Sequence, residues 1–192
     1  WLNGGLFGAD LSCPSYTAGA TNRAGYCAIG YDETFDVRYG RINRLAFADE
    51  SMACFTVDSR IGSPPGGGFA NSGTAGYCAA GYNDSGATTD VYKVVFSSDA
   101  LSTLASGMSV SRRQNSSAGF ANSGTAGYLG GGYAASGTAY STIVDKWAFS
   151  DDSRTTLGGT LPRGKYGTAG FANSGSKGYW AGGYGTAYGS PT

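Results

Sequence analysis

The sequence contains no histidine. Histidine is the commonest general base in catalytic sites, a frequent zinc ligand and the side chain that titrates near neutral pH. Without it, neither a Ser-His-Asp triad nor a histidine-based metal site can form. The four cysteines include no C-x-x-C pair and do not suggest zinc binding either. These absences predict a protein that is not an enzyme and that binds no metal or cofactor.

Charge and long apolar runs are also scarce. The chain has 13 basic and 13 acidic residues, a net charge of zero and only 14% charged residues. A nucleic-acid-binding protein normally carries a basic face, so no nucleic-acid partner is expected. No run of 18 apolar residues occurs, so no membrane insertion is expected. The chain begins at Trp1 without a charged-then-apolar leader, and we expect it to be processed or part of a longer protein.

Glycine and aromatic residues are abundant, and they recur with a period. The segment GFANSGTAGY begins at Gly68 and again at Gly119, and GFANSGSKGY begins at Gly170. The tyrosine of the Gly-Tyr pair recurs at a constant spacing of 51 residues, at Tyr26, Tyr77, Tyr128 and Tyr179. Such a period predicts repeated supersecondary units. We therefore expect one repeat domain over residues 1–192, with units at 25–75, 76–126 and 127–177 and partial units at 1–24 and 178–192.

Each unit has the sequence pattern of four short strands. In the copy that starts at Gly119, GFANSG and AGYLGGGY are followed by STIVDKWAF, which is rich in β-branched and aromatic residues, and by RTTLGGTLPR. No segment has a convincing helical period. A four-stranded antiparallel sheet repeated every 51 residues predicts an all-β, β-propeller-like array of about four blades, and strands from the two termini could close the ring. A stacked β-solenoid or a sandwich array remains the alternative.

A family resemblance supports this interpretation. The segment GYLGGGY, followed by Tyr140 and Trp147, resembles the kelch repeat, whereas the two earlier copies carry AAG with Val94 and AIG with Leu45. The recurring segments NSGTAGY, GGY and DKWAF also resemble kelch-like arrays in tail-fibre and virion proteins of bacterial and algal viruses. The resemblance implies a non-enzymatic structural or adhesive protein, extracellular or on a virion surface, that binds a glycan or protein receptor and self-assembles or joins a larger complex. A soluble multivalent lectin is the alternative.

The segments between the second tyrosine and the Ala-Phe strand vary while their flanks repeat, which is typical of recognition loops on a rigid scaffold. The repeated asparagines and arginines form alternative binding rings, because amides and guanidinium groups suit sugar hydroxyls and acidic groups. The loop candidates are Asp32, Glu33, Asp36, Arg38, Tyr39, Asn83, Asp84 and Tyr140. The ring candidates are Asn71, Asn122, Asn173, Arg60, Arg112 and Arg163.

Structural roles are also expected for the repeated residues. An asparagine in Ala-Asn-Ser-Gly typically holds a turn, and the ring arginines are expected to pair with Asp49, Asp99 or Asp151. We predict that the phenylalanine of each Gly-Phe pair is buried in the innermost strand of its blade. A solvated strand edge is expected for Arg44, Lys93 and Lys146. The second tyrosines are expected to pack between blades: Tyr31, Tyr82, Tyr133 and Tyr184. No disulfide is expected between Cys27 and Cys78.

Overall fold

A computed structural model describes residues 24–28, 31–32, 37–38, 41–56, 67–79, 82–83, 86–134, 140–173 and 175–185. Every regular element in these ranges is a β-strand, which confirms the all-β prediction. The strands are β1 (Ala24–Ala28), β2 (Tyr31–Asp32), β3 (Val37–Arg38), β4 (Arg41–Ala46), β5 (Met52–Thr56), β6 (Gly67–Asn71), β7 (Ala75–Ala79), β8 (Tyr82–Asn83), β9 (Gly86–Ala87), β10 (Val91–Val95), β11 (Ala100–Thr103), β12 (Arg112–Asn122), β13 (Ala126–Ala134), β14 (Val144–Ala148), β15 (Arg154–Thr156), β16 (Lys165–Asn173) and β17 (Lys177–Gly185).

The strands form antiparallel sheets in which sequence neighbours pair. The second unit has the order β6-β7-β10-β11, and the third has β12-β13-β14-β15. The first unit comprises β1, β4 and β5, the fourth comprises β16 and β17, and two small hairpins pair β2 with β3 and β8 with β9. The four-stranded antiparallel sheet is thus present in two units. The sheets start at the Gly-Phe strand, so the predicted unit boundary at residues 75 and 76 falls inside β7 instead of between sheets.

The central strands β10 and β14 are largely buried. In β10 the side chains of Val91, Tyr92 and Val94 are buried, and β14 repeats this pattern with Val144, Asp145 and Trp147. β-Branched and aromatic residues suit such half-buried pleated strands. The Asn-Ser-Gly segments form the turns, as predicted: the Thr125 amide donates to the Asn122 carbonyl oxygen at 2.9 Å.

The units pack through their Gly-Phe strands. β12 lies beside β6 on one side and β16 on the other. The approach is so close that a Cβ atom on Gly119 would overlap the carbonyl of Gly68, and one on Gly170 would overlap that of Gly119. Only a residue without a side chain permits this backbone contact. The repeated glycine therefore sets the distance between neighbouring units.

The main apolar core lies between the second and third units. Phe69 and Tyr77 of the second unit pack with Trp147 of the third, whose side chain is fully buried. The Trp147 indole N–H donates to the Ser106 carbonyl at 2.9 Å, so its polar atom is satisfied. The core is completed by Ala75, Ala79, Val91, Met108 and Leu129.

The predicted burial of the repeated phenylalanine holds for one copy and fails for another. Phe69 is 7% exposed and Phe120 is half-buried, but Phe171 is 55% exposed. Phe69 is covered by Trp147 and Phe149 of the next unit. Phe171 stacks on Tyr179 of its own unit, at 5.3 Å between ring centroids, and within the described residues no aromatic pair of another unit covers it.

Candidate binding surfaces

The repeated asparagines connect neighbouring units. The Gly124 amide donates to Oδ1 of Asn71 at 3.0 Å, and the Gly175 amide donates to Oδ1 of Asn122 at 2.8 Å. Each side chain therefore holds a turn, as one interpretation expected, but the turn belongs to the following unit. Asn173, the third member of the set, is exposed. In two of the three ring asparagines, the side-chain oxygen thus accepts a hydrogen bond from the backbone of the next unit.

The repeated phenylalanines make a second connection of the same kind. A Cβ atom on Gly127 would overlap the ring of Phe69, and a Cβ atom on Gly178 would overlap the ring of Phe120. The phenylalanine ring of one unit therefore packs directly against the glycine that precedes the tyrosine of the next unit. Both pairs are 58 residues apart, which shows that the second-to-third and third-to-fourth junctions are built alike.

Arg112 is not at a blade edge, which corrects one expectation. Its side chain is completely buried and its Nη2 lies 3.0 Å from Oδ2 of Asp145, not beside Asp99. Burial lowers the pKa of Arg112 from its usual value, and the neighbouring carboxylate opposes that shift. Arg112 is therefore a structural cation that no receptor on the surface reaches. Arg60, the first ring arginine, lies outside the described residues.

Arg112 and Arg163, two of the ring arginines, do not occupy equivalent positions in their sheets. Arg112 faces Ala134 across the β12–β13 pair, and the corresponding residue of the fourth unit, facing Gly185, is Lys165. A bulge between Arg113 and Ser117 in β12 accounts for the shift, because it adds residues to one strand only. Arg163 precedes β16 and is exposed. Sequence spacing alone could not reveal the bulge.

Asp145 is the centre of a buried polar network that the sequence reading missed. Its Oδ2 accepts hydrogen bonds from the Ser109 amide at 3.1 Å and the Ser109 hydroxyl at 2.9 Å, besides Arg112. Its Oδ1 accepts from Thr156 at 2.9 Å and lies 3.3 Å from Arg154. The residue at the same position of β10 is Tyr92, so the repeat pattern did not mark Asp145 as a special residue.

The strand cations also depart from expectation. Arg44 is 8% exposed and lies 3.8 Å from Asp99 of the next unit, and Lys93 lies 2.6 Å from Asp152. These two side chains thus form ion pairs between units instead of a solvated edge. Lys146, the third in the set, is half-buried.

Asp152 also receives a hydrogen bond from a buried tyrosine. The Tyr77 hydroxyl donates to Oδ1 of Asp152 at 2.7 Å, while Lys93 bonds the other carboxylate oxygen. Burial, and then the bond to this carboxylate, raise the pKa of Tyr77 well above its usual value. Asp152 and Asp99 both have positive φ, at 57° and 53°, as the turn after the Ala-Phe strand requires.

Two of the second tyrosines, Tyr133 and Tyr184, form one aromatic cluster with Tyr140 and Tyr166. Tyr140 lies 5.2 Å from Tyr133 and 5.2 Å from Tyr166, and Tyr184 lies 5.5 Å from Tyr166, measured between ring centroids. The predicted packing between units is confirmed for Tyr133 and Tyr184. Tyr140, a predicted loop contact, is half-buried in this cluster. Tyr184 is the outermost member, at 49% exposure.

The variable segments begin as short hairpins. Asp32 pairs with Val37 across β2 and β3, and Asn83 pairs with Gly86 across β8 and β9. Arg38 lies on β3. Two of the three variable segments thus contain short strands. Four further loop candidates, Glu33, Asp36, Tyr39 and Asp84, lie outside the described residues.

Two grooves flank the third and fourth units. The larger, of about 250 Å³, is lined by Phe120, Tyr128, Leu157, Lys177 and Trp180, with Asn122 and Asn173 at its rim. The smaller, of about 160 Å³, is lined by Leu161, Pro162, Arg163, Lys165 and Trp180. Aromatic faces beside amides and cations can bind polar or acidic groups.

Two comparisons with known proteins found no match. No protein-family model matches it, and no curated protein is significantly similar to it. Among the described residues, no helix is long and apolar enough to cross a membrane. In the same part of the chain, no three cysteine, aspartate or glutamate side chains gather as metal ligands would. Cys78 is present as a thiol, in line with the expectation that it does not pair with Cys27.

Proposed function

We propose that this chain is a non-enzymatic structural or adhesive repeat protein of a virion or extracellular assembly, which presents variable segments to a glycan or protein receptor. One observation carries the proposal: the junction of the second and third units and that of the third and fourth units are made by the same two contacts. In the first contact, the phenylalanine ring of one unit packs on the glycine before the tyrosine of the next unit. In the second, a backbone amide in the turn of the next unit donates a hydrogen bond to the asparagine side chain. Repeated contacts to the backbone make a stiff support that does not depend on the sequence of the variable segments.

The variable segments lie at the end of the sheets opposite the Asn-Ser-Gly turns. β7 runs away from the turn that starts at Asn71, the β8–β9 hairpin follows, and β10 runs back to pair with β7. The first unit repeats this arrangement with β1, the β2–β3 hairpin and β4. The Asn-Ser-Gly end therefore carries the asparagine contacts that repeat between units, while the other end carries the segments that differ in sequence.

A propeller is the arrangement that we favour for the units. The meander order of the sheets and the adjacency of β6, β12 and β16 support a radial array with the Gly-Phe strands innermost. Small-angle X-ray scattering tests this arrangement. A closed ring is compact, and a maximum dimension that fits only an extended stack of sheets would contradict it.

A loop graft tests the presentation of variable segments. Residues 32–41 would be replaced by residues 83–90, and both chains would be applied to a glycan array and to purified candidate assemblies. We expect the free energy of unfolding to change by only about 0.6 kcal/mol, because loop closure depends weakly on length. Binding should fall, because the residues that contact the receptor are lost.

The control for the graft is Asn173→Ala, which alters the opposite end of the array and should leave binding intact. Unchanged binding after the graft, with loss in the Asn173→Ala variant, would contradict the proposal. That result would assign recognition to the asparagine end and favour a lectin that binds there.

A further inference from the structure

The buried guanidinium group of Arg112 has more donors than its neighbours accept. Its Nη2 donates to Oδ2 of Asp145 at 3.0 Å and, at the longer distance of 3.5 Å, to the carbonyl oxygen of Ile143. Its other two nitrogens, Nε and Nη1, are also buried, and within the described residues they have no hydrogen-bond partner. Folded proteins rarely leave a buried donor without an acceptor, because the group has lost its bonds to water. The two nitrogens therefore point to an acceptor that is not a protein atom.

A third buried polar atom is the hydroxyl oxygen of Thr88 in the second unit. It also has no partner in the part of the chain that the structure describes. The next residue, Thr89, accepts a hydrogen bond from the Met108 amide at 2.6 Å. Ser109, which follows Met108, donates to the same carboxylate oxygen that binds Arg112. Unpartnered polar atoms thus lie at both ends of one chain of contacts, which connects the second and third sheets.

The charges around Arg112 do not balance. The completely buried carboxylate of Asp145 faces two guanidinium groups, with Arg112 at 3.0 Å and Arg154 at 3.3 Å. Counted over these described side chains, the cluster has a net charge of +1. Arg154 is partly open to solvent, whereas the Arg112 side chain is not exposed at all. Burial lowers the pKa of Arg112, which is the direction expected where a cation is incompletely compensated.

The donors and the charge together define a class of ligand. Guanidinium nitrogens only donate and a hydroxyl group can donate, so a group that only accepts satisfies all three atoms, whereas water must also place its own protons. One negative charge brings the cluster to neutrality. A divalent oxyanion would reverse the charge of the cluster and would lose more hydration on burial. A small monovalent anion fits both requirements.

We propose that Arg112 forms a buried halide site, in which a chloride ion accepts hydrogen bonds from its Nε and Nη1 groups and from the hydroxyl of Thr88. The ion is enclosed when the second and third sheets pack, and it fixes the connection between them. The fourth unit has no such site among its described residues, because Lys165, at the register position of Arg112, carries no guanidinium group. The site is independent of any receptor at the variable segments.

A chloride titration of the unfolding equilibrium tests the proposal on the full chain. Urea denaturation would be followed at constant ionic strength while sodium chloride replaces sodium gluconate, whose anion is too large for an enclosed site. We expect the folding equilibrium constant to rise about tenfold for each tenfold increase in chloride above its dissociation constant, because only the folded chain binds the ion. An equilibrium constant that is the same in both salts would overturn the proposal.

Arg112→Lys is the matched variant, because it keeps a cation beside Asp145 and removes the Nε and Nη1 donors. Its folding equilibrium should no longer depend on chloride. Arg154→Lys changes the other guanidinium group, and its chloride dependence should match that of the unmodified chain. A chloride dependence that survives in Arg112→Lys, or that disappears equally in both variants, would overturn the proposal.

Bromide in crystals of the unmodified chain gives a readout that does not depend on the stability of any variant. Bromide replaces chloride in halide sites and is located by its anomalous scattering. We expect an anomalous peak within hydrogen-bonding distance of Nε or Nη1 of Arg112. A water molecule at that position, or bromide bound at the protein surface only, would overturn the proposal.

Discussion

β13 and β17 carry closely similar sequences in different surroundings. Tyr128 and Tyr133 of β13 are half-buried, whereas their counterparts Tyr179 and Tyr184 in β17 are 45% and 49% exposed. β13 is covered by β14 and by the preceding unit, and within the described residues β17 is covered only by β16 and the third unit. Burial in this array is therefore decided by which neighbouring strands are present, more than by the repeated letters. Matched substitutions can measure that difference.

The largest effect is expected at the repeated phenylalanine. Phe69→Ala should reduce the free energy of unfolding by about 3–5 kcal/mol, because it removes a buried ring from the core. Phe171→Ala should cost less than about 1 kcal/mol, because that ring is 55% exposed. Urea denaturation of both variants checks the contrast. Equal losses would mean that Phe171 is buried in solution.

A similar contrast is expected for Arg112 and Lys165, which occupy the same register position in the third and fourth units. Arg112→Ala should destabilise the fold by about 3 kcal/mol or more, because Asp145 would keep a buried charge without its main partner. Lys165→Ala should stay within about 0.5 kcal/mol, because its ammonium group makes a long, exposed hydrogen bond of 3.4 Å to the Gly182 carbonyl. Thermal denaturation of the two variants gives the comparison. A large loss for Lys165→Ala would show that it is held in an equivalent network.

The raised pKa of Tyr77 predicts a stability loss at alkaline pH. Its phenol stays protonated in the folded chain above pH 10, where the unfolded chain ionises. This contribution is fully present below pH 10 and is lost as the pH rises above it, by up to about 1.4 kcal/mol per pH unit. Tyr77→Phe should flatten the pH dependence between pH 10 and 11. Parallel pH profiles for the two chains would contradict the predicted pKa shift.

The smallest effect is expected at the asparagine contacts. Asn122→Ala removes the acceptor of the 2.8 Å bond from the Gly175 amide and should cost about 1 kcal/mol. Asn173→Ala should change the free energy of unfolding by less than about 0.5 kcal/mol, because its side chain is exposed. Hydrogen exchange at Gly175 adds a local readout. If its protection survives Asn122→Ala, the turn is held by other contacts.

The sheets could be predicted from the sequence because their causes are local. The β-branched and aromatic residues of β10 and β14 favour strands, and Asn-Ser-Gly favours the turn before β13. These features lie within single units and need no knowledge of neighbouring units. The same reasoning placed the second tyrosine Tyr133 in packing between units, where the structure finds it.

The polar network could not be predicted because its causes are not local. Arg112 meets Asp145 across the sheet, and the bulge before Ser117 shifts the register that sequence spacing implied. Lys93 and Asp152 are 59 residues apart and belong to different units. A repeat period reveals which residues are equivalent, but not which side chains meet when two sheets pack.

The direct contact of a phenylalanine on the next glycine has a consequence for how such a protein changes over generations. The second and third units each touch their successor through the same pair of surfaces, as Phe69 with Gly127 and Phe120 with Gly178 show. A duplicated or deleted 51-residue segment would therefore leave every remaining junction complementary. The length of the array becomes a heritable quantity that recombination can adjust one unit at a time, without any new interface having to evolve.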